Sequence, residues 1–397
     1  MDRQKQRIPL GVWALGFVSL FMDISSEMIH GLLPLFLVSV LGANALTVGL
    51  VEGLGEALAL IVRLFSGVLS DYLKRRKLLV LGGYLLGALS KPLFAVANSV
   101  DLVLTARLLD RTGKGIRGAP RDALIADLTP ASIRGAAYGL RQSLDSVGAV
   151  LGPALAVGLM ALTADNFRTV FWVAAIPGLL SVVIIVFFVK EPQRIESKNT
   201  RLPFHIQEMR KLGSGFWLVV SVGLVFTLAR FSEAFMLLRA NEVGVTTEFV
   251  PVILIIMSFT YALGAYPAGM LSDKWGRSGL LLLGLAMLVI THLVLAFSSN
   301  PTQVAIGAGL WGLHLALTQG LFAALVADTC TPELRGSAFG LFSFATGIAI
   351  LLASVIAGAL WDQFGSQAAF LSGAGFGVMA LIGGALVLKR IHHQTHS

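Results

Sequence analysis

Apolar positions run in long unbroken stretches, and polar positions gather in short breaks between them. The stretches cover 11–38, 47–70, 78–97, 101–125, 136–162, 169–189, 215–238, 249–272, 279–298, 303–327, 337–361 and 367–388. Each is long enough to span a hydrocarbon core of about 30 Å. In such a medium each backbone amide must be satisfied within its own helix. The pattern therefore predicts an all-α integral membrane protein with 12 transmembrane helices. Outside the spans there is room only for short loops, two tails and one polar linker from Lys190 to Gly213. A short interfacial helix is expected within that linker, near Phe204–Leu212.

Composition agrees: 56% of the 397 residues are hydrophobic and 13% are charged. Charge placement adds orientation. Basic residues collect at Arg3, Lys5 and Arg7, at Lys74–Lys77, along the linker, at Lys274 and Arg277, and at Lys389 and Arg390. The alternate loops offer only Arg168 and Arg239. By the positive-inside bias both termini are expected in the cytoplasm of a bacterial-type inner membrane. The net charge of +8 follows from these loops and from buried cations, so no nucleic-acid partner is needed. The N-terminus resembles a signal peptide, but its apolar stretch continues past His30 to Val40 and reads as span 1. Cys330 stands alone and reads as an inert thiol. No CxxC, HExxH or phosphate-cradling loop occurs, so neither an enzyme, a cofactor, a metal site nor an ATP-driven pump is expected.

The chain is written twice. Gly67-Val68-Leu69-Ser70-Asp71 recurs as Gly269-Met270-Leu271-Ser272-Asp273, at an offset of 202. Ala123–Asp127 recurs as Ala324–Asp328, and Arg134–Leu140 recurs as Arg335–Leu341, both at 201. Two independent matches at one period indicate two homologous halves of six spans. The expected division is 1–189, a cytoplasmic linker 190–214, and 215–397.

These residues carry a resemblance. Gly269, Leu271, Asp273, Gly276 and Arg277 between spans 8 and 9 resemble motif A of the major facilitator superfamily. Gly67, Asp71 and Arg75 form the earlier copy, in which Lys74 replaces a usual glycine. On span 5, Gly139, Gly148 and Gly152-Pro153 resemble the antiporter-associated motif C, with Ala156-Val157 in place of its closing glycines. The resemblance implies a secondary transporter whose two bundles rock about a central site, functional as a monomer. It also implies gating roles for Asp71, Asp273 and their neighbours, with Arg134 and Arg335 opening the following spans. The competing reading is that these residues only cap tight turns.

Span 4 carries the chain's most unusual pattern. Arg107, Arg111, Lys114 and Arg121 fall within a roughly 80° arc of one helix face, with Arg117 beside it. Charges inside a membrane normally face partner charges or a water-filled path. In the repeat these positions become Ala308, Gly312, Leu315, Phe322 and Thr318, so the stripe belongs to one half only. A feature needed merely to fold a half-bundle would be expected in both. Forked guanidinium donors suit carboxylate or phosphate. Arg107, Arg111, Lys114 and Arg117 are therefore candidates for holding an anionic substrate, and Arg121 reads as structural. The competing reading pairs the cations with buried carboxylates.

Those carboxylates are candidates for proton coupling. Asp23, Glu27 and His30 share one face of span 1. Glu56 lies on span 2, Asp145 on span 5 beside Arg141, and Glu233 on span 7 beside Arg230. Lys91 on span 3 is read as snorkelling to the lipid interface. Trp311, His314 and Gln319 on span 10 are expected to form a neutral wall for the uncharged body of the substrate. The sequence thus predicts proton-coupled transport of a small organic anion, such as a carboxylate, a phosphate ester or a polycarboxylate metal chelate. Na⁺ is the alternative coupling ion. A multidrug efflux antiporter and a non-transporting sensor are the alternative functions.

Overall fold

A computed structural model describes residues 8–73, 75–191, 212–319, 321–331 and 334–395. The interfacial helix expected near Phe204–Leu212 falls almost wholly outside these residues. Among the described residues the structure is helical, with no strand. The first six spans are α1 (Leu10–His30), α2 (Ala45–Leu73), α3 (Arg76–Val96), α4 (Val100–Leu128), α5 (Arg134–Leu162) and α6 (Phe167–Phe188). A short helical piece and a π turn at Phe36–Val40 prolong the path of α1. The second half comprises α7 (Ser214–Ala229), α8 (Ala234–Glu242), α9 (Val252–Ala296), α10 (Pro301–Thr318), α11 (Leu321–Asp328), α12 (Arg335–Phe364) and α13 (Ser366–Thr395).

Four expected spans differ in detail. Span 7 is not continuous: the helix breaks between α7 and α8, where Arg230 has φ −107° and ψ 63°. Span 10 divides at Gln319, whose ψ of 122° is extended. Spans 8 and 9 join as α9 with a non-helical residue at Gly276, φ 73°. Only glycine takes that backbone without strain, which accounts for the residue in the second motif A. Ten helical segments among the described residues are long and apolar enough to cross a membrane. The α4 segment is not among them, because its charges lower its hydropathy.

Contacts divide the chain into two compact units, Met1–Leu32 with Leu58–Leu202, and Leu33–Ala57 with Pro203–Ser397. The start of α2 thus groups with the second half of the sequence. The reason is a close helix crossing. A Cβ at Gly49 would lie 2.2 Å from Ser354 O, and one at Gly358 would lie 2.6 Å from Ala45 O. The Asp362 carboxylate, at the end of α12, accepts from Ala45 N and Leu46 N at 2.9 Å each. It thereby satisfies two of the orphan amides at the N-terminus of α2.

The first unit is built the same way. A Cβ at Gly83 would lie 2.7 Å from Gly113 O, and one at Gly113 would lie 2.6 Å from Gly83 O. A Cβ at Gly115 would lie 2.7 Å from the Val62 Cβ. Small residues thus bring α3 and α2 hard against α4, as membrane helices require when no hydrophobic effect drives them together. On α5, Gly148 and Gly152 abut Asp23 and Glu27 of α1. These motif C glycines therefore form a helix seam.

Candidate functional site

Close packing of α3 on α4 gathers the buried charges of the first unit. Arg107, Asp110, Arg111 and Arg117 of α4 are all buried. Asp110 is the hub: Lys91 Nζ donates to its Oδ1 at 2.7 Å, and Arg111 Nε lies 3.7 Å from its Oδ2. Lys91 also donates to Ser26 Oγ at 3.1 Å. It is 1% exposed, so it does not snorkel to the lipid interface. A buried ammonium survives only when paired, and Asp110 supplies the pair.

The rest of the stripe has mixed partners. Arg107 Nη2 donates to His30 Nδ1 at 3.3 Å. The Arg117 guanidinium lies over the Tyr84 ring, 4.6 Å from its centroid, a cation–π arrangement. Arg121 donates to Ser19 Oγ at 3.0 Å and to Asp122. Lys114 differs from its neighbours, being exposed while Arg107, Arg111 and Arg117 are buried. Burial thus separates one accessible cation from three enclosed ones.

Asp23 and Glu27 are half-buried beside this network. Asp23 lies in the electrostatic field of Asp145, Arg117, Arg121 and Glu27. Asp145 itself pairs with Arg141 one turn before it. Glu56 is brought elsewhere: it belongs to the second unit and interacts with Arg230, as does Glu233 at the α7–α8 break. Six carboxylate and histidine candidates therefore fall into two groups, one in each unit.

The expected neutral wall is mostly core. Trp311 and His314 are buried, and His314 Nδ1 is 2.7 Å from Gly284 O. The Trp311 ring packs against His292 and Phe231, with centroids 5.5 and 6.4 Å apart. Of the three proposed wall residues, only Gln319 is exposed. Close packing explains this: a Cβ at Gly312 would lie 2.2 Å from Met257 O, so α10 is drawn into α9.

In the first motif A, Asp71 Oδ1 accepts from Arg76 Nη2 at 2.9 Å, and Asp127 Oδ2 accepts from Arg76 Nη1 at 2.8 Å. Arg76, not Arg75, therefore ties α2, α3 and α4 together, while Arg75 is exposed. The reason is helical position. Arg75 precedes α3, whereas Arg76 opens it and points back toward both carboxylates. Glu191 accepts from the backbone amides of Arg76 and Lys77 at 2.8 Å each. Gly67 lies against Ala119, and Arg134 donates to Thr129 O at 3.3 Å. In the later copy, Gly269 and Arg335 are exposed. The side chains of Asp273 and Arg277 lie outside the described residues. Cys330 donates to Val326 O at 3.1 Å, and partial burial raises its thiol pKa. Both fit an inert thiol.

Sequence reasoning missed Tyr84, Ser19 and His292. The signal for Tyr84 was its spacing: Tyr84, Ala88 and Lys91 follow i, i+4, i+7 on α3 and share a face. His292 is fully buried, with Nε2 2.7 Å from Ala229 O at the end of α7. A histidine within a long apolar helix was itself a cue to a backbone break nearby.

The chain matches the Major Facilitator Superfamily over residues 15–246 and 224–397. It is 33% identical over 393 residues to an uncharacterized MFS-type transporter of Methanocaldococcus jannaschii, covering 98% of this chain and 96% of that one. It is 22% identical to the quinolone resistance protein NorA of Staphylococcus aureus, covering 88% and 90% of the two chains. Its fold resembles the solved nucleoside transporter NupG, with TM-score 0.77, 13% identity, and 95% and 99% of the chains covered. It also resembles a POT family transporter in complex with a thioalcohol-conjugated peptide, with TM-score 0.79, 13% identity and 95% of each chain covered. With a matching family over nearly its whole length and a relative at one-third identity, this chain belongs to the major facilitator superfamily and is a transport protein, not an enzyme.

Proposed function

We propose that the chain is a proton-coupled secondary transporter of a small organic anion, working by alternating access in a bacterial-type inner membrane. The observation that carries this reading is the cation excess on α4. Lys91, Arg107 and Arg111 all lie in the field of the one carboxylate Asp110, and Arg117 lies over the Tyr84 ring and in the field of Asp23. Lys114 stands exposed on the same face. An anionic group bound at Lys114 would draw on the positive field of Arg111 and Arg107 behind it, strengthened by low dielectric. Asp23 and Glu27, beside Asp145, are the proton carriers of this reading. Glu56 and Glu233, near Arg230, form a second titratable group that links the two halves of the sequence.

The test is flux into proteoliposomes under an imposed pH gradient, with a panel of radiolabelled mono- and dicarboxylates and phosphate esters. The reading expects one anion class to be driven by the gradient. Lys114→Ala should lower its transport at least tenfold, and Asp23→Asn should abolish the pH drive. Equal anion flux in wild type and Lys114→Ala would sink the anion site.

A second reading is drug efflux by proton antiport. It is favoured by the relation to the quinolone resistance protein and by the glycine seam where α5 packs on Asp23 and Glu27. Lipophilic cations exported against a pH gradient, unaffected by Lys114→Ala, would favour it.

A further inference from the structure

The charged network leaves one concavity of the first unit unused. A groove of about 550 Å³ is lined by Val62, Phe65, Leu69 and Tyr72 of α2, Leu79 of α3 and Ile116 of α4. Its floor includes Ser66, whose hydroxyl is turned to backbone carbonyls: it donates to Gly115 O at 2.9 Å and to Arg63 O at 3.0 Å. The groove is therefore apolar, and its occupant must be apolar along its length. Phe65, Leu69 and Tyr72 share one helix face and are all exposed.

Its dimensions narrow the choice. Val62 to Tyr72 spans about 15 Å at about 1.5 Å per residue, which equals one leaflet of a core about 30 Å thick. An extended acyl chain of one leaflet matches that length, and the exposed Phe65, Leu69 and Tyr72 would lie along it.

The mouth opens at the basic loop. Tyr72, the most exposed lining residue, sits where aromatic rings favour the lipid headgroup level. The acidic groups there are already engaged. Asp71 and Asp127 hold Arg76, and Glu191 holds two backbone amides. Arg75 is exposed just beyond them, and the sequence adds Lys74. Counting Lys74, Arg75, Arg76 and Lys77 against Asp71, Asp127 and Glu191, the formal balance at the mouth is one positive charge.

We infer that this groove binds one acyl chain of an anionic phospholipid from the leaflet on the side of loop 74–77, with the lipid phosphate at Arg75. The inference does not depend on the proposed function.

Native mass spectrometry of the detergent-purified full chain, titrated with phosphatidylglycerol or phosphatidylethanolamine, tests it. Wild type should retain one phosphatidylglycerol at least tenfold more tightly than phosphatidylethanolamine. Leu69→Trp fills the groove and should weaken that first binding at least tenfold, with an unchanged melting temperature. If Leu69→Trp fails to fold, the closer replacement Phe65→Trp serves the same purpose. Arg75→Ala should erase the preference for phosphatidylglycerol. Equal binding of both lipids to wild type, or unchanged phosphatidylglycerol binding in the groove-filling and Arg75 variants, would mean annular lipid only and overturn the inference. A dimer that Leu69→Trp abolishes would overturn it too.

Discussion

Lys91 and Asp110 form a buried ion pair, Nζ to Oδ1 at 2.7 Å, between neighbouring helices that meet across facing glycines. Both side chains are nearly inaccessible, at 1% and 4%. Removing one partner strands the other charge, which costs about 3–5 kcal/mol in comparable buried pairs. Lys91→Ala and Asp110→Ala should each lower the thermal midpoint sharply. Lys91→Met combined with Asp110→Leu should recover part of the loss, because the Lys91 charge is no longer stranded while Arg111 still loses its contact with Asp110. Differential scanning fluorimetry of the purified variants checks this. A double variant no better than the singles would contradict it.

Arg76 and Arg75 are adjacent but should behave differently. Arg76 bridges two carboxylates on two helices, and Arg75 is exposed. Hydrogen bonds to charged groups contribute about 1.5–3 kcal/mol each where well formed. Partial exposure of Asp71 puts Arg76→Ala toward the low end of that range. Arg75→Ala should leave the melting temperature within error. Comparing the two variants side by side decides which arginine of the motif is structural.

Asp362 completes the cap of α2 from a distant helix: it takes the Ala45 and Leu46 amides, while the local Asn44 takes only Thr47 N. Loss of an N-cap carboxylate costs about 0.5–2 kcal/mol, and exposure of this one favours the lower end. Asp362→Ala should speed hydrogen exchange at the first turn of α2 without changing α5 or α6. Asp362→Asn, which keeps an acceptor, should lie between. Uniform acceleration throughout the chain would argue against a local cap.

The glycine contacts predict position-specific tolerance. A Cβ at Gly312 would fall 2.1 Å from Thr260 Oγ1 and 2.2 Å from Met257 O, whereas one at Gly82 would meet nothing within 4 Å. Gly312→Ala should cost about 1–3 kcal/mol through overpacking. Gly82→Ala should be neutral or slightly stabilising, since it gains helix propensity. Folded yield in detergent, measured by size-exclusion chromatography, separates the two.

The fold was largely legible because the membrane leaves few options. Hydrophobic run length names the spans, and the repeats at Asp71 and Asp273 name the two halves. Breaks inside spans were not legible. Arg230 and Gln319 interrupt helices with no proline or glycine pair to announce them, and only the partners of the freed carbonyls reveal why. His292 on Ala229 O is the example for Arg230. The site was legible as a set of charges but not as a set of pairs. One-dimensional spacing places Arg111 and Asp110 on one helix. It does not say that Lys91, nineteen positions earlier, reaches the same carboxylate. Trp311 and His314 had the right spacing for a wall, but the direction in which they point depends on how closely Gly312 lets α9 approach. Arg75 and Arg76 differ by a single residue at a helix start, and that offset decides which one meets Asp71.

The pairing across α3 and α4 also bears on how the chain enters the bilayer. As it leaves the ribosome, α4 carries more charge than a translocon readily releases into lipid by itself, and its average hydropathy falls short of a spanning helix. The preceding helix is apolar enough to cross but carries Lys91 within its span. Three residues, Ala97 to Ser99, separate the two. Each therefore solves the other's problem if the translocon holds both until Lys91 has met Asp110 and releases them as one hairpin. Biogenesis and buried electrostatics are then the same event: the ion pair is the ticket by which the most polar helix of the protein gains admission to the membrane.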